Sequence, residues 1–152
     1  MTAIVYRDGI MAADSRAYSG DKHPIGSKLK IRRLSDGTLL GCSTTTPGGG
    51  EAVLDWYEGG KKKDAIVPES FTLLIAKPNG EVFYSTDCDF ISGPLEADYF
   101  VIGSGEQYAH GACLMDATAV EAVRAACIAD TFTDFPIYAG SYKRKTLWRV
   151  ES

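Results

Sequence analysis

The chain has 152 residues, of which 45% are hydrophobic and 24% are charged, and its formal net charge at pH 7 is −4. This length suits one domain with a substantial core, so we expect a single domain over residues 1–152. The slightly acidic balance argues against nucleic-acid binding, and no apolar run reaches the ~20 residues of a membrane span.

Cysteines, histidines and the N-terminus exclude further classes of protein. The four cysteines contain no CxxC pair and no ligand spacing with histidine, which argues against a zinc site and against a disulfide framework. The N-terminus lacks the basic region and long apolar stretch of a secretory signal. We therefore expect a cytoplasmic protein with reduced cysteines and without a zinc site.

The chain begins with a predicted β-hairpin. Residues 3–7 and 10–13 are apolar and flank Asp8-Gly9, a strong signal for a tight turn. Residues 15–26 are polar and contain a proline and two glycines, so they predict a loop.

A strand with a lysine follows the predicted loop. Residues 29–34 alternate in polarity, which predicts a strand with Leu29 and Ile31 on one face and Lys30 on the other. Residues 38–43 predict the next strand of the same hairpin.

The middle of the chain is interrupted by TTTPGGG at residues 44–50. Its proline and three glycines predict irregular structure. The glycines could cradle a phosphate, but the Lys-Ser/Thr of a P-loop is missing, so we interpret the segment as a mobile loop. Residues 51–58 predict a short helix.

The remainder predicts an α+β protein. Strands are expected over 71–77, 81–85 and 99–103, helices over 106–115 and 118–129, and one or two closing strands over 135–150. Thr118 and Glu121 form a capping-box pattern at the start of the second of these helices. Because strands and helices do not alternate regularly, the order predicts packed sheets with outer helices and not a doubly wound parallel sheet.

Most of the usual catalytic patterns are missing, but the N-terminus offers one. Neither His23 nor His110 lies in a convincing Ser-His-Asp setting, and there is no GxGxxG motif. Removal of Met1 would give Thr2 a free α-amino group with a pKa of ~7.7–8.0, which can serve as general base for the hydroxyl of the same residue. A Met-Thr start that arose by chance is the alternative.

Asp14 and Lys30 can complete this arrangement. The predicted hairpin returns Asp14 to the end of the sheet that holds Thr2. If Lys30 points between layers, it needs a partner, because a buried lysine is either paired or neutral, and Asp14 can pair with it. Its ammonium would then stabilise a threonine alkoxide. An exposed strand lysine is the alternative for Lys30.

The segments MTAIV, DGIMAADS, GSKLKIRRL and LLGCS together resemble the start of proteasome β-type peptidases, and most closely the HslV-like members. The resemblance implies that Thr2 is the catalytic threonine and that Asp14 and Lys30 belong to the catalytic site. Residues 100–114, FVIGSGEQYAHGACL, resemble the strand-GSG-helix segment of the family, which implies that Ser104 lies beside the amino group of the nucleophile.

The same resemblance implies further site residues. Asp130 and Thr133 match an acidic residue and a small hydroxyl residue that organise the amino terminus, and Thr44 matches the backbone oxyanion donor. Substrate-pocket positions correspond to Ala17, Lys28, Arg32 and Cys42, which are mixed in character.

Taken as a whole, the resemblance implies the four-layer αββα sandwich of N-terminal nucleophile (Ntn) hydrolases and a threonine endopeptidase without cofactor or metal. It also implies peptide or unfolded-protein substrates, assembly into a homo-oligomeric ring and an ATP-dependent unfoldase as partner. Two alternatives stay open: a non-catalytic structural or assembly protein that retains the fold, and an amidase of the same fold that acts on a small molecule.

Overall fold

The computed structural model describes residues 2–19 and 23–152. Within these ranges the strands are β1 (Ile4–Arg7), β2 (Ile10–Ala13), β3 (Arg16–Ser19), β4 (His23–Ser27), β5 (Ile31–Arg33), β6 (Leu39–Ser43), β7 (Thr72–Ala76), β8 (Val82–Ser85), β9 (Ser92–Leu95), β10 (Phe100–Ile102), β11 (Ile137–Ser141) and β12 (Trp148–Val150). The helices are α1 (Gly49–Glu58), α2 (Glu106–Leu114) and α3 (Ala119–Ala129).

Two five-stranded antiparallel sheets form the centre of the molecule. The first has the strand order β10-β1-β2-β11-β12, and the second has the order β5-β6-β7-β8-β9. Strands β3 and β4 pair separately as a small two-stranded sheet. The first hairpin turns at Asp8 and Gly9, whose φ angles of 52° and 80° fit the tight turn predicted from the sequence.

Successive side chains of β1 point alternately into two layers of the hydrophobic core. Ala3 and Val5 pack against α2 and α3, whereas Ile4 packs against Leu39 and Leu74 of the second sheet. This is the period-2 pattern of a strand that is buried on both faces. On the far side of the second sheet, α1 packs its buried residues against β6 and β7.

The layers therefore run helices, sheet, sheet, helix, which confirms the predicted αββα sandwich. The helix α3 begins as predicted, because the Thr118 hydroxyl accepts the Glu121 N–H and the Glu121 carboxylate accepts the Thr118 N–H. Small residues of α3, such as Ala122 and Ala126, are buried and let this helix lie close to the first sheet.

The loop predicted over residues 15–26 is wrong for residues 16–19 and 23–26, since β3 and β4 lie there, and the part over residues 20–22 lies outside the described residues. The sequence pattern does not indicate these strands, because β4 is exposed along its length and therefore has no alternation of apolar and polar residues. Contacts from distant parts of the chain position this hairpin: the Tyr18 ring packs edge-on against Phe132 at 5.2 Å, and the Tyr18 hydroxyl donates to the Thr131 carbonyl oxygen. The strand conformation of this hairpin therefore depends on tertiary contacts and not on the local sequence pattern.

Two further elements differ from the prediction. Strand β9 was not expected, because Gly93 and Pro94 interrupt it; proline is tolerated there since β9 is an edge strand. The helix α1 begins at Gly49, inside the segment expected to be an irregular mobile loop. A Cβ on Gly49 would lie 3.0 Å from Pro68 Cγ, a tight contact that favours glycine at this helix start.

Candidate active site

The segment around Gly103 holds Thr2 in place. The backbone N–H of Thr2 donates to Ser104 Oγ at 3.0 Å, and the Thr2 carbonyl oxygen accepts the Gly105 N–H at 2.9 Å. A Cβ on Gly103, whose φ is 103°, would lie 2.2 Å from that carbonyl oxygen. Residues 103–105, which we call the GSG clasp, thus bind the backbone of Thr2 on both sides of its Cα.

Asp14 directly follows β2 and links the start of the chain to Lys30. Its carboxylate accepts the Ala3 N–H at 3.0 Å and the Arg16 N–H at 3.2 Å. Lys30 Nζ lies 3.1 Å from each carboxylate oxygen of Asp14. Asp14 therefore fixes the residue after Thr2 and the lysine ammonium at the same time.

Lys30 is a buried lysine, with 6% of its surface exposed, and Asp14 is fully buried. This rules out the alternative of an exposed strand lysine. Strand β5 begins only at Ile31, so the alternation predicted from residue 29 is wrong at its first position, where Leu29 is 48% exposed.

Burial governs the electrostatics of this pair. It lowers the pKa of the Lys30 ammonium and raises the pKa of the Asp14 carboxyl, and the attraction between the two groups opposes both shifts. Because water is excluded from the pair, its field is weakly screened and acts on neighbouring groups more strongly than a surface pair would.

Thr2 and Lys30 line one cleft between the segment before β5, strand β6 and helix α1, which we call the Thr2 cleft. Its lining residues are Thr2, Lys28, Leu29, Lys30, Cys42, Thr44, Gly50, Glu51 and Leu54. Of the four predicted pocket positions, Lys28 and Cys42 line this cleft. Arg32 instead binds Asp55 and Glu58 on the neighbouring face of α1, and Ala17 lies in β3.

Asp130 and Thr133, predicted to organise the amino terminus, lie at the end of α3 and in the turn that follows it. Asp130 caps the end of α3, and the Thr133 hydroxyl donates to the Ala126 carbonyl oxygen at 2.8 Å. Both pack against the GSG clasp: a Cβ on Gly105 would lie 3.1 Å from Asp130 Oδ2 and 3.2 Å from Thr133 Cγ2. They thus support the clasp, and the clasp holds Thr2.

The backbone oxyanion donor was predicted at Thr44, and the prediction did not include Gly50, which lines the same cleft. Thr44 lines the cleft, and its hydroxyl is bonded to the Ser70 carbonyl oxygen and the Thr46 N–H. Gly50 also lines the cleft, in the first turn of α1, where N–H groups have no partner within the helix. The sequence feature that could have indicated Gly50 is the Gly49-Gly50 pair, which directly precedes the apolar positions of α1.

The remaining predicted features lie outside this site. The histidines His23 and His110 belong to β4 and α2, and the His110 ring contacts the Tyr99 hydroxyl. In the described ranges there is no cluster of three histidine, cysteine or acidic side chains that could hold a metal ion. Met1 lies outside the described residues, and with it the predicted removal of this residue.

None of the helices within residues 2–19 and 23–152 has the length and apolar character needed to cross a bilayer. Each of the four cysteines, all within these ranges, is a free thiol.

Comparison with known proteins shows which fold this is. No family model matches the sequence, and no curated protein does. Solved structures do match: the Thiobacillus denitrificans protein BPH, in complex with epoxomicin, is 20% identical, with a TM-score of 0.64 and 99% of each chain covered. Eukaryotic HslV from Trypanosoma brucei is 18% identical, with a TM-score of 0.59, and covers 93% of this chain and 99% of its own.

At these identities the likeness establishes the fold. The chain has the αββα architecture of an HslV protein over nearly its whole length, as the sequence resemblance implied.

Proposed function

We propose that the protein is a threonine endopeptidase in which Thr2 is the nucleophile. The observation that carries the proposal is the set of contacts at Thr2. The nitrogen of Thr2 is bonded to Ser104, and Thr2 lines the same cleft as Lys30. Lys30 is in turn paired with buried Asp14. The Thiobacillus denitrificans neighbour, in complex with epoxomicin, and the HslV neighbour support the same activity for this fold.

The reaction begins with removal of Met1, which frees the Thr2 amino group. With a pKa of ~7.7–8.0, this group is partly neutral at pH 7 and takes the proton of Thr2 Oγ, through a water molecule. The hydroxyl oxygen then attacks the substrate carbonyl. Lys30 stabilises the developing negative charge, and Asp14 holds Lys30 in position.

The tetrahedral oxyanion would be bound by backbone N–H groups at Gly50 and Thr44, which line the same cleft. When the intermediate collapses, the peptide nitrogen leaves with the proton held by the Thr2 amino group. An ester between Thr2 Oγ and the substrate acyl group remains, and water activated by the same amino group hydrolyses it. Ser104, Asp130 and Thr133 serve to keep that amino group oriented.

Labelling with a peptide vinyl sulfone, followed by intact mass, tests this proposal. We expect the wild-type chain to have lost Met1 and to gain the mass of one inhibitor, because the Thr2 hydroxyl adds across the vinyl group. Thr2→Ala should gain none, whereas Thr146→Ala, an exposed threonine outside the cleft, should be labelled like wild type. Epoxomicin should compete with the vinyl sulfone for the wild-type chain.

Equal labelling of wild type and Thr2→Ala would reject Thr2 as nucleophile. Met1 retained in native material would also reject the peptidase and favour the non-catalytic alternative. Labelling at Thr2 without cleavage of any peptide would favour the small-molecule amidase.

The proposal also covers the assembly of the protein, its partners and its location in the cell. We infer a homo-oligomeric ring of subunits that takes peptides or unfolded chains, fed by an ATP-dependent unfoldase, in the cytoplasm. The four free thiols support a reducing compartment. Light scattering measures the assembly directly, since a ring has several times the mass of the 16.4 kDa chain.

A further inference from the structure

The segment between α3 and β11, residues 130–136, contacts two separate parts of the candidate site, and we call it the α3–β11 turn. On one side it packs against the GSG clasp, where a Cβ on Gly105 would lie 3.1 Å from Asp130 Oδ2. On the other side the Asp134 carbonyl oxygen accepts the Ser15 N–H at 3.3 Å. The turn therefore lies between the clasp and the segment that follows β2.

An ion pair fastens the same turn to the start of β3. The Arg16 guanidinium binds the Asp134 carboxylate. The backbone N–H of Arg16 donates to Asp14 Oδ2 at 3.2 Å, and Asp14 is the partner of Lys30. Asp134 is thus connected, through one arginine, to the carboxylate that holds the buried lysine.

An aromatic side chain supports Arg16 in this position. Arg16 Nη1 donates to Tyr18 Oη at 3.2 Å, and the guanidinium lies 5.7 Å from the centre of the Tyr18 ring. The Tyr18 hydroxyl donates to the Thr131 carbonyl oxygen of the α3–β11 turn at 2.9 Å. Both side chains of β3 therefore contact the same turn.

The exposure of this ion pair separates an effect on rate from an effect on stability. The side chains of Arg16 and Asp134 are 24% and 38% exposed, and ion pairs in contact with water add little to stability. Neither residue lines the Thr2 cleft, so a change in either leaves the surface that faces a substrate intact.

From these contacts we propose that Asp134 is a positioning residue, which through Arg16 holds the GSG clasp and the Asp14–Lys30 pair in a fixed relation. The inference rests on the proposed peptidase function and adds to it a residue that touches neither substrate nor reacting atoms. Without the ion pair the α3–β11 turn can shift relative to β3. The clasp that holds the nucleophile then moves relative to Lys30, and reaction rates fall steeply with such displacements.

Labelling of the full chain with the peptide vinyl sulfone tests this, with the maximal rate and the half-maximal probe concentration determined separately. Asp134→Asn keeps an acceptor for the Phe135 N–H and removes the charge. Its maximal rate should fall about tenfold, less than the about 100-fold cost of a displacement of about 1 Å. The half-maximal concentration should stay at the wild-type value, because the cleft lining is unchanged.

Two further variants show whether the two residues act as a pair. Arg16→Gln keeps the backbone N–H that binds Asp14 and should lower the maximal rate as much as Asp134→Asn does. The double variant Arg16→Gln/Asp134→Asn should lose no more than either single variant, because the second change removes an interaction that is already broken. Urea unfolding in the assay buffer gives the folded fraction, and rates are expressed per folded chain.

Asp116→Asn is the matched control. It removes an acid whose Oδ1 lies 3.7 Å from Nη2 of the partly buried Arg7, at the opposite end of β1 from Thr2. This variant loses the same charge as Asp134→Asn but has no contact with the α3–β11 turn through that arginine. It should keep the wild-type maximal rate.

The outcomes separate this inference from the proposed function. If wild type is labelled at Thr2 and Asp134→Asn keeps the wild-type maximal rate per folded chain, the positioning role is rejected and the peptidase stands. The role is also rejected if Asp116→Asn slows labelling equally, or if the losses of the two single variants add in the double variant. If wild type is not labelled, the peptidase fails and the positioning role fails with it.

Discussion

At Gly103 the chain needs a residue without a side chain, because the backbone of Thr2 occupies the space where a Cβ would lie. The clasp formed with Ser104 and Gly105 turns an ordinary strand-to-helix connection into a support for the N-terminal residue. The contacts of these single residues limit the movement of the proposed nucleophile and of its nitrogen.

Gly103→Ala is expected to lower the free energy of unfolding by at least about 2 kcal/mol, because the methyl group overlaps the Thr2 carbonyl oxygen and φ is 103°. Urea unfolding measures the loss, and vinyl sulfone labelling should fall with it. Gly111→Ala in α2 is the matched control: its Cβ meets nothing within 4 Å, so it should be neutral or stabilise by up to about 1 kcal/mol. A Gly103→Ala chain as stable as Gly111→Ala would contradict the clasp.

The buried pair of Asp14 and Lys30 has a structural role and, in the proposed mechanism, a catalytic one, and a pair of variants separates the two. Lys30→Met should cost about 3–5 kcal/mol of unfolding free energy, because it leaves the Asp14 carboxylate uncompensated. Lys30→Met/Asp14→Asn removes both charges, keeps an acceptor for the Ala3 N–H, and should recover part of that stability. Labelling at Thr2 should remain lost in both.

Stability is measured by urea unfolding and reactivity by intact mass on the same samples. If the double variant reacts at the wild-type rate, the Lys30 ammonium has no part in activating Thr2 and serves packing alone. If the double variant is less stable than Lys30→Met, the cost attributed to an uncompensated charge is wrong.

Among the elements, α3 connects a local folding signal to the site. Its start is set by the capping box of Thr118 and Glu121, and its end delivers Asp130 and the following turn to the GSG clasp. The start is a local property of four residues, whereas the contact at the end depends on where the whole helix lies on the first sheet.

Thr118→Ala should lower the free energy of unfolding by about 1 kcal/mol, the typical value of a helix N-cap. Thermal or urea unfolding tests this, with Thr146→Ala as an exposed threonine outside the helices that should change stability by less than about 0.5 kcal/mol. Labelling at Thr2 should be unchanged in both variants, since neither touches the cleft. A cost at Thr118 no greater than that at Thr146 would show that the cap contributes nothing.

Across the whole molecule, the sandwich brings together segments that are far apart in the sequence. The residues that flank the first hairpin supply Thr2 and Asp14, the segment before β5 supplies Lys30, and the connection from β10 to α2 supplies Ser104. Each segment resembles its counterpart in the HslV-like family only modestly, and their order along the chain made the αββα fold predictable. The solved structures then match over nearly the full chain at 18–20% identity.

The parts that could not be predicted have a common physical cause. Strand β4 is exposed along its length, and β9 carries a glycine and a proline, so neither has an apolar pattern; pairing with neighbours makes them strands. Gly49 and Gly50 were interpreted as breakers, yet they begin α1, where a Cβ on Gly49 would lie 3.0–3.1 Å from side-chain atoms of Pro68, Thr44 and Thr46. Such positions depend on contacts and not on local propensity.

The sequence by itself determined the hairpin at Asp8-Gly9, the cap of α3, the layered fold and the candidates Thr2, Asp14, Lys30 and Ser104, because these depend on turn chemistry, periodicity and the order of motifs. Only the tertiary structure decided that Lys30 is buried and paired with Asp14, and that Asp130 and Thr133 pack against Gly105. Burial and ion pairing are properties of how the layers meet, and no stretch of chain read alone contains both partners.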